Sequence, residues 1–410
     1  MKLSNRVNNI SASQSLAMAA KAKQMQAEGI DVISMSLGEP DMDTPEYVRR
    51  AAQAAIDNHW SHYGPVPGIP SLRAAIADYH NRVNHQSPIT NNLSPLTFTQ
   101  DEVIVSIGAK MAIFNAIQAV VNPGDEVVIP TPSWMSYGEM VKLADGVPVP
   151  VATTYDNCYC LTPSQLRAAL TPRSRMIILC TPNNPTGSVY SYEQLAALVA
   201  VLCDFPDVVV LADEIYSPLV YGCEHVSFAA FPELQDRLVV INGVSKAFAM
   251  TGYRIGWALC KDRAFIAACT RLQGQQLTCA TMVAQKAAEA ALTGPQDSVE
   301  QMRQVFAERR ELICRLAHEI PGFRFTEPQG AFYLFPDVTE ITNHQSQITN
   351  HKSPITSADA LAEYLLTEAK VAVVSGSAFG CPDCIRLSYA ISTEEIQTAM
   401  RRIKEAIEKL

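Results

Sequence analysis

At 410 residues the chain is too long for one ordinary hydrophobic core, so about two domains are expected. A composition 48% hydrophobic and 18% charged is that of a soluble globular protein, and a net charge of −9 speaks against a nucleic-acid surface. No apolar run approaches the length of a membrane helix, and the N-terminal residues lack the apolar core of a secretion signal, so a cytoplasmic protein is expected.

A polar, alanine-rich helix opens the chain. Short β-branched runs at 102–107, 126–129, 175–180, 208–212 and 238–241 then read as buried strands, with helical patterns such as 110–121 and 192–203 between them. This alternation predicts an α/β fold, a three-layer αβα arrangement around a mainly parallel sheet, with ligands at the carboxyl ends of its strands. After about residue 295 the texture changes to a long charged helix (299–318), candidate strands at 323–325, 331–335, 371–374 and 385–388, and a final helix to Leu410. The expected division is a large domain at 45–295 and a smaller α+β domain built from 1–44 and 296–410. Two polar segments repeat each other, Asn84-His-Gln-Ser-Pro-Ile-Thr-Asn and Asn343-His-Gln-Ser-Gln-Ile-Thr-Asn. They mark 84–95 and 342–357 as surface insertions.

The eleven cysteines are scattered through apolar runs and read as buried thiols of a reducing compartment. Cys381-Pro-Asp-Cys384 could be a redox couple or half of a zinc site. With no second CxxC pair and no histidine close by in sequence, two thiols in a turn before a strand is the favoured reading, and no metal is expected.

The chemistry concentrates in Ser245-Lys246-Ala-Phe-Ala-Met-Thr-Gly-Tyr-Arg254-Ile-Gly. A lysine after a buried strand becomes a nucleophilic amine when burial or a nearby cation lowers its pKa, and Arg254 offers a fork of donors suited to phosphate. A Schiff-base lysine beside an anchored phosphate is what pyridoxal 5'-phosphate requires. Asp213-Glu-Ile-Tyr216 closes another strand: the carboxylate could keep a pyridine nitrogen protonated and the tyrosine could reach a phenolic oxygen, or the pair is a cap and a surface tyrosine. In Thr181-Pro-Asn-Asn184-Pro-Thr-Gly187 two prolines and a glycine make a rigid turn that could aim Asn184 as a fixed donor or be a structural turn only. Gly108, Ala109 and Lys110 sit between a strand and a helix start, where backbone N–H groups could bind phosphate or simply form an ordinary tight turn. Trp134 could stack on a cofactor ring or fill the core. Arg386 lies in an apolar strand and needs an anion, either a substrate carboxylate or an internal partner.

Taken in order, Asn-Pro-Thr-Gly, Asp-Glu-Ile-Tyr, the Ser245–Gly256 stretch and Arg386-Leu-Ser-Tyr make the chain resemble, over nearly its whole length, the class I pyridoxal-phosphate-dependent aminotransferases, most of all their bacterial aspartate aminotransferase subgroup. The resemblance implies the fold type I architecture and a transaminase that moves an amino group between an L-amino acid, aspartate first, and a 2-oxo acid such as 2-oxoglutarate. It implies that Lys246 carries the cofactor and shuttles the proton, that Asp213 pairs with the ring nitrogen, and that Asn184 and Tyr216 contact the phenolic oxygen. Trp134 is implied to stack on the ring, and Gly108, Ala109, Lys110, Ser245 and Arg254 to surround the phosphate. Tyr63 is implied to reach the phosphate of the other subunit of a homodimer. Gly38 and Arg386 are assigned to the substrate α-carboxylate, together with Trp134 and Asn184, and Lys110 to a distal carboxylate, with Gln14 and Ser15 at the same end. One departure is Gly243, three residues before the lysine, where many relatives carry a phosphate-binding serine. Aromatic and prephenate aminotransferases and carbon–sulfur β-lyases share the scaffold and stand as alternatives. A cofactor-binding regulator that has lost turnover fits less well, since no DNA-binding module precedes the pattern.

Overall fold

The computed structural model describes residues 1–86, 89, 93–342 and 355–410. Its strands, in chain order, are β1 (Ile33–Ser34), β2 (Val103–Ser106), β3 (Glu126–Thr131), β4 (Val147–Ala152), β5 (Ser174–Cys180), β6 (Val209–Asp213), β7 (Leu238–Gly243), β8 (Gly256–Leu259), β9 (Tyr333–Leu334), β10 (Val371–Ala372), β11 (Val374–Ser375) and β12 (Ile385–Ser388). Seven of them form one sheet in the order β2-β8-β7-β6-β5-β3-β4. β8 runs antiparallel to both of its neighbours, and the other pairings are parallel.

The strands read as continuous apolar runs because both faces of the sheet are covered. Val105, Val128, Ile177, Leu179, Val210 and Val240 enter one core. Their alternates Ile104, Val127, Ile129, Ile178, Leu211 and Val239 enter the other. Side-chain direction alternates along a strand, so a strand apolar at every position has no solvent face. Helices Pro70–Gln86, Tyr192–Cys203 and Met282–Thr293 feed the first core, and Ala109–Val120, Ser136–Leu143 and Arg263–Gln276 feed the second. The three-layer αβα architecture follows.

A separate apolar cluster gathers Phe306 and Ile313 of helix Asp297–Ala317, Ile396 and Ile403 of helix Thr393–Ile407, and Ile385 and Leu387 of β12. β12 lies between β11 and β9 in a small sheet, and β1 from the N-terminal segment pairs with β10. Residues 323–325, expected as a strand, make only an isolated bridge between Arg324 and Asp337. Three strands were not expected: the two-residue β1, β4 and β8. β4 carries Pro148 and Pro150 and sits at the sheet edge, where a missing N–H faces no partner strand. β8 is four residues long and starts at the glycine that ends the lysine–arginine motif. Of the expected insertions at 84–95 and 342–357, residues 87, 88, 90–92 and 343–354 lie outside the described residues; 84–86 close the helix Pro70–Gln86, and Asn84, Pro95 and Ile355 are buried. Among the described residues no helix is long and apolar enough to cross a membrane.

Candidate active site

A cavity of about 370 Å³ opens beyond the carboxyl ends of β3, β5, β6 and β7. That volume suits a small organic ligand. Its lining includes Gly38, Ala109, Lys110, Trp134, Asn184, Asp213, Tyr216, Ser245, Lys246, Arg254 and Arg386. The turns after β2, β3, β5, β6 and β7, together with β12 and the N-terminal segment, bring these residues together from across 350 positions of sequence, the separation of Ser36 and Arg386, whose groups also meet here.

One wall is an anion cradle. Gly108 caps helix Ala109–Val120 at φ +85°, a conformation that favours glycine, and the first N–H groups of that helix have no acceptor within it. A Cβ on Gly108 would lie 2.4 Å from Nη2 of Arg254, so the guanidinium rests directly against the helix start. Arg254 itself has φ +57° and donates from Nη1 to the Thr251 carbonyl at 2.7 Å. Gly256 closes the cradle: a Cβ there would sit 2.2 Å from the Ala109 nitrogen. Helix dipole, amides and guanidinium together favour a phosphate.

At the floor, Asp213 ends β6 and is buried. Its Oδ2 accepts from the Tyr137 hydroxyl at 2.6 Å and its Oδ1 from the Ile215 N–H at 3.2 Å. Burial pushes the carboxyl up to about 6, against the downward pull of these two donors. A buried carboxylate held by two donors is placed to accept a proton-bearing ring nitrogen.

Lys246 follows β7 in a turn and donates to the Gly38 carbonyl at 2.5 Å. Burial pushes its ammonium down to about 8; Arg254 and Arg386 add to this, while Glu39 and Asp213 oppose it. Tyr216 shares a 2.8 Å hydrogen bond with the Tyr333 hydroxyl. That hydroxyl occupies the space in front of Gly38, where a Cβ would lie 2.1 Å away.

Arg386 is 3% exposed, between the rings of Tyr333 and Phe379 at 4.5 and 4.8 Å. Nη1 donates to Asn184 Oδ1 at 2.9 Å and Nη2 to the Ser36 carbonyl at 2.6 Å, while the buried Nε has no partner among the described residues. Both acceptors are neutral, so the internal ion pair left open by the sequence is not what holds this cation. Lys110 places its ammonium 4.7 Å from the Trp134 ring centroid, and burial followed by Arg254 lowers its pKa. Trp134 meets Tyr137 edge-on at 5.4 Å.

Three expectations land elsewhere or change meaning. Gln14 does not line this cavity; it borders a shallow depression with Lys21 and Asp359, while Ser15 lines the cavity, because successive residues of a helix point about 100° apart. Tyr63 is 90% exposed and lines no part of its own chain's cavity. A Cβ at Gly243 would come within 2.9 Å of the Gly256 Cα and the Ile255 carbonyl, so the absent serine has no room there. Tyr137, Tyr333 and Ser36 were missed. Tyr137 lies three residues beyond Trp134, itself already singled out, and Tyr333 in a run taken only as a strand.

A depressed lysine, a phosphate cradle and a buried carboxylate on an αβα sheet define an enzyme that works through a phosphorylated carbonyl cofactor. The family model for class I and II aminotransferases matches residues 30–403. The chain is 43% identical to an aspartate aminotransferase of Geobacillus stearothermophilus, over 100% of this chain and 99% of that one. It is 42% identical to an aspartate/prephenate aminotransferase of Nitrosomonas europaea, over 98% of this chain and 99% of that one. The crystal structure of the aspartate aminotransferase from Rhizobium meliloti superposes with a TM-score of 0.93 at 38% identity, covering 100% of both chains. The chain belongs to the class I and II aminotransferase family. It is a pyridoxal-phosphate-dependent transaminase acting on amino and 2-oxo acids.

Proposed function

We propose that the chain exchanges the amino group between L-aspartate and 2-oxoglutarate. The observation that carries this reading is a pair of cations in one cavity: Arg386, buried with a free Nε, and Lys110 beside Trp134. A substrate with two carboxylates fills both, and a buried guanidinium without a counter-ion is costly until an anion arrives. Relatives named aspartate aminotransferase over their full length support the same choice.

Pyridoxal phosphate, when bound, supplies a carbonyl that takes up the amino group and a ring that withdraws electrons from the substrate Cα. The chain's residues do the rest. Gly108, Ala109, Lys110, Ser245 and Arg254 would hold the phosphate, Asp213 the ring nitrogen, and Asn184 and Tyr216 the ring oxygen, with Trp134 against the ring face. Lys246 Nζ, once free, is the base that holds the proton leaving Cα. Arg386 fixes the α-carboxylate, with Gly38 beside it, and Lys110 takes the distal one. Tyr63, which lines no part of its own cavity, reaches the phosphate of a second subunit in a homodimer. The same reading makes 45–295 the cofactor domain, 1–44 with 296–410 the smaller one, and the cytoplasm the place of action.

Prephenate also ends in a second carboxylate, and the Nitrosomonas relative's name joins it to aspartate, so it is the second reading. The test is the absorbance spectrum of the cofactor-loaded protein. L-aspartate alone should bleach the visible cofactor band, and 2-oxoglutarate should restore it. A band indifferent to L-aspartate but bleached by glutamate and restored by prephenate would replace the first reading with the second.

A further inference from the structure

β11 and β12 pair antiparallel, Val374 facing Arg386, and residues 376–384 form the tip of that hairpin. The tip ends in Cys381-Pro-Asp-Cys384. The Cys384 N–H donates to the Cys381 carbonyl at 3.3 Å, which makes these four residues a β-turn. The ends of such a turn lie within about 7 Å at Cα, the span a disulfide bridges. The two Sγ atoms are already 3.4 Å apart. Cys381 is half-exposed and Cys384 is buried, its sulfur 3.7 Å from the Tyr159 hydroxyl. The sequence favours two structural thiols here, but structural thiols have no need to meet.

The turn is bound to the substrate side of the cavity. Gly376 donates to the Cys384 carbonyl at 2.7 Å, and a Cβ on Gly376 would come within 2.1 Å of the Cys381 oxygen. Segment Gly376–Phe379 ends in the ring that packs on Arg386, and the Phe379 carbonyl accepts the Ser133 N–H, next to Trp134, at 3.0 Å. Phe379 and Cys384 share one small apolar cluster with Tyr159 and Phe335.

We propose that Cys381 and Cys384 are a reversible dithiol–disulfide site, oxidised by a low-molecular-weight disulfide, whose closure shifts Phe379 and weakens carboxylate capture at Arg386. The Cys381 thiolate attacks the incoming disulfide, forming a mixed disulfide and releasing one thiolate. Cys384 sulfur then attacks Cys381 Sγ, and the second thiolate leaves. The two protein S–H protons end on the two released thiols, so the protein loses two electrons and the oxidant gains them. The order of attack follows exposure and is reinforced electrostatically: the Cys384 S–H donates to Cys381 and lowers its pKa, while the Cys384 pKa is raised.

The consequence for catalysis rests on Arg386 as the carboxylate anchor; bridge formation does not. The holoenzyme is incubated with oxidised glutathione, the remaining thiols are alkylated, and peptides are mapped. A 381–384 bridge that dithiothreitol removes is expected in the wild type. Cys384→Ser should trap glutathione on Cys381, and Cys381→Ser should form no bridge. Both residues alkylated after oxidation in the wild type would overturn the site. Oxidation should raise KM for the amino acid that bleaches the cofactor band by about threefold or more, with kcat changing by less than about twofold, and Cys381→Ser should be indifferent. A mapped bridge with unchanged KM keeps the redox site and overturns its coupling to Arg386.

Discussion

Lys246 is held between opposing influences. Burial and two arginines favour its neutral amine, while Glu39 and Asp213 favour the ammonium, and the balance places its pKa at about 8 against an ordinary 10.5. Only the neutral amine attacks a carbonyl, so uptake of pyridoxal phosphate by the apoprotein should accelerate as pH rises through about 8 and level off above it. An inflection near 10.5 would mean that the pocket does not act on the amine, and Lys246→Ala should show no pH-dependent step. The sign carries over to stability. Between 8 and 10.5 the folded apoprotein binds fewer protons at this site than the unfolded chain, so it gains stability as pH rises through that window. That Lys246, Asp213, Asn184 and Arg386 meet in one cavity was legible because the first three sit in short motifs at strand ends and the fourth is a cation inside an apolar strand. Their partners were less so. The hydroxyls of Tyr137 and Tyr333 meet Asp213 and Tyr216 across 76 and 117 residues, and no local pattern announces a contact of that range.

The elements around the site are arranged by close backbone approach. β7 and β8 run antiparallel with Gly243 opposite Gly256, and Gly256 in turn presses on the start of helix Ala109–Val120. The pair lets the lysine turn and the phosphate cradle lie within one strand spacing. Gly243→Ser, which would restore the residue many relatives carry, should therefore destabilise the apoprotein by about 1–3 kcal/mol instead of improving phosphate binding, because the new Cβ overpacks the strand pair. Chemical denaturation reads the first effect and cofactor affinity the second; unchanged stability with tighter cofactor binding would show that the strands yield easily. Buried parallel strands were readable as apolar runs, since covering both faces removes the polar alternation. β4 and β8 were not, because edge prolines and a glycine-rich motif both look like loop.

At the scale of the whole molecule, the proposed function has Tyr63 serve the phosphate of a second subunit, and Tyr63 lies outside its own chain's cavity. Tyr63 is 90% exposed, and Ile56, seven residues earlier, is 63% exposed. Apolar side chains exposed in this way suit a protein interface. A hydroxyl donated to a phosphate contributes about 1.5–3 kcal/mol, so on the proposed homodimer Tyr63→Phe should release cofactor about 10- to 100-fold faster. That result alone does not say whose phosphate Tyr63 serves, but a hybrid dimer does. One subunit carries Lys246→Ala with Tyr63 intact, and the other carries Lys246 with Tyr63→Phe. If the tyrosine crosses the interface, the only lysine-bearing site in the hybrid receives an intact Tyr63 from its neighbour and releases cofactor at the wild-type rate. If it serves its own subunit, the same site carries the defect and releases cofactor as fast as the Tyr63→Phe homodimer. The two arrangements contain the same substitutions in the same proportion, so only the path of Tyr63 through the assembly separates their rates.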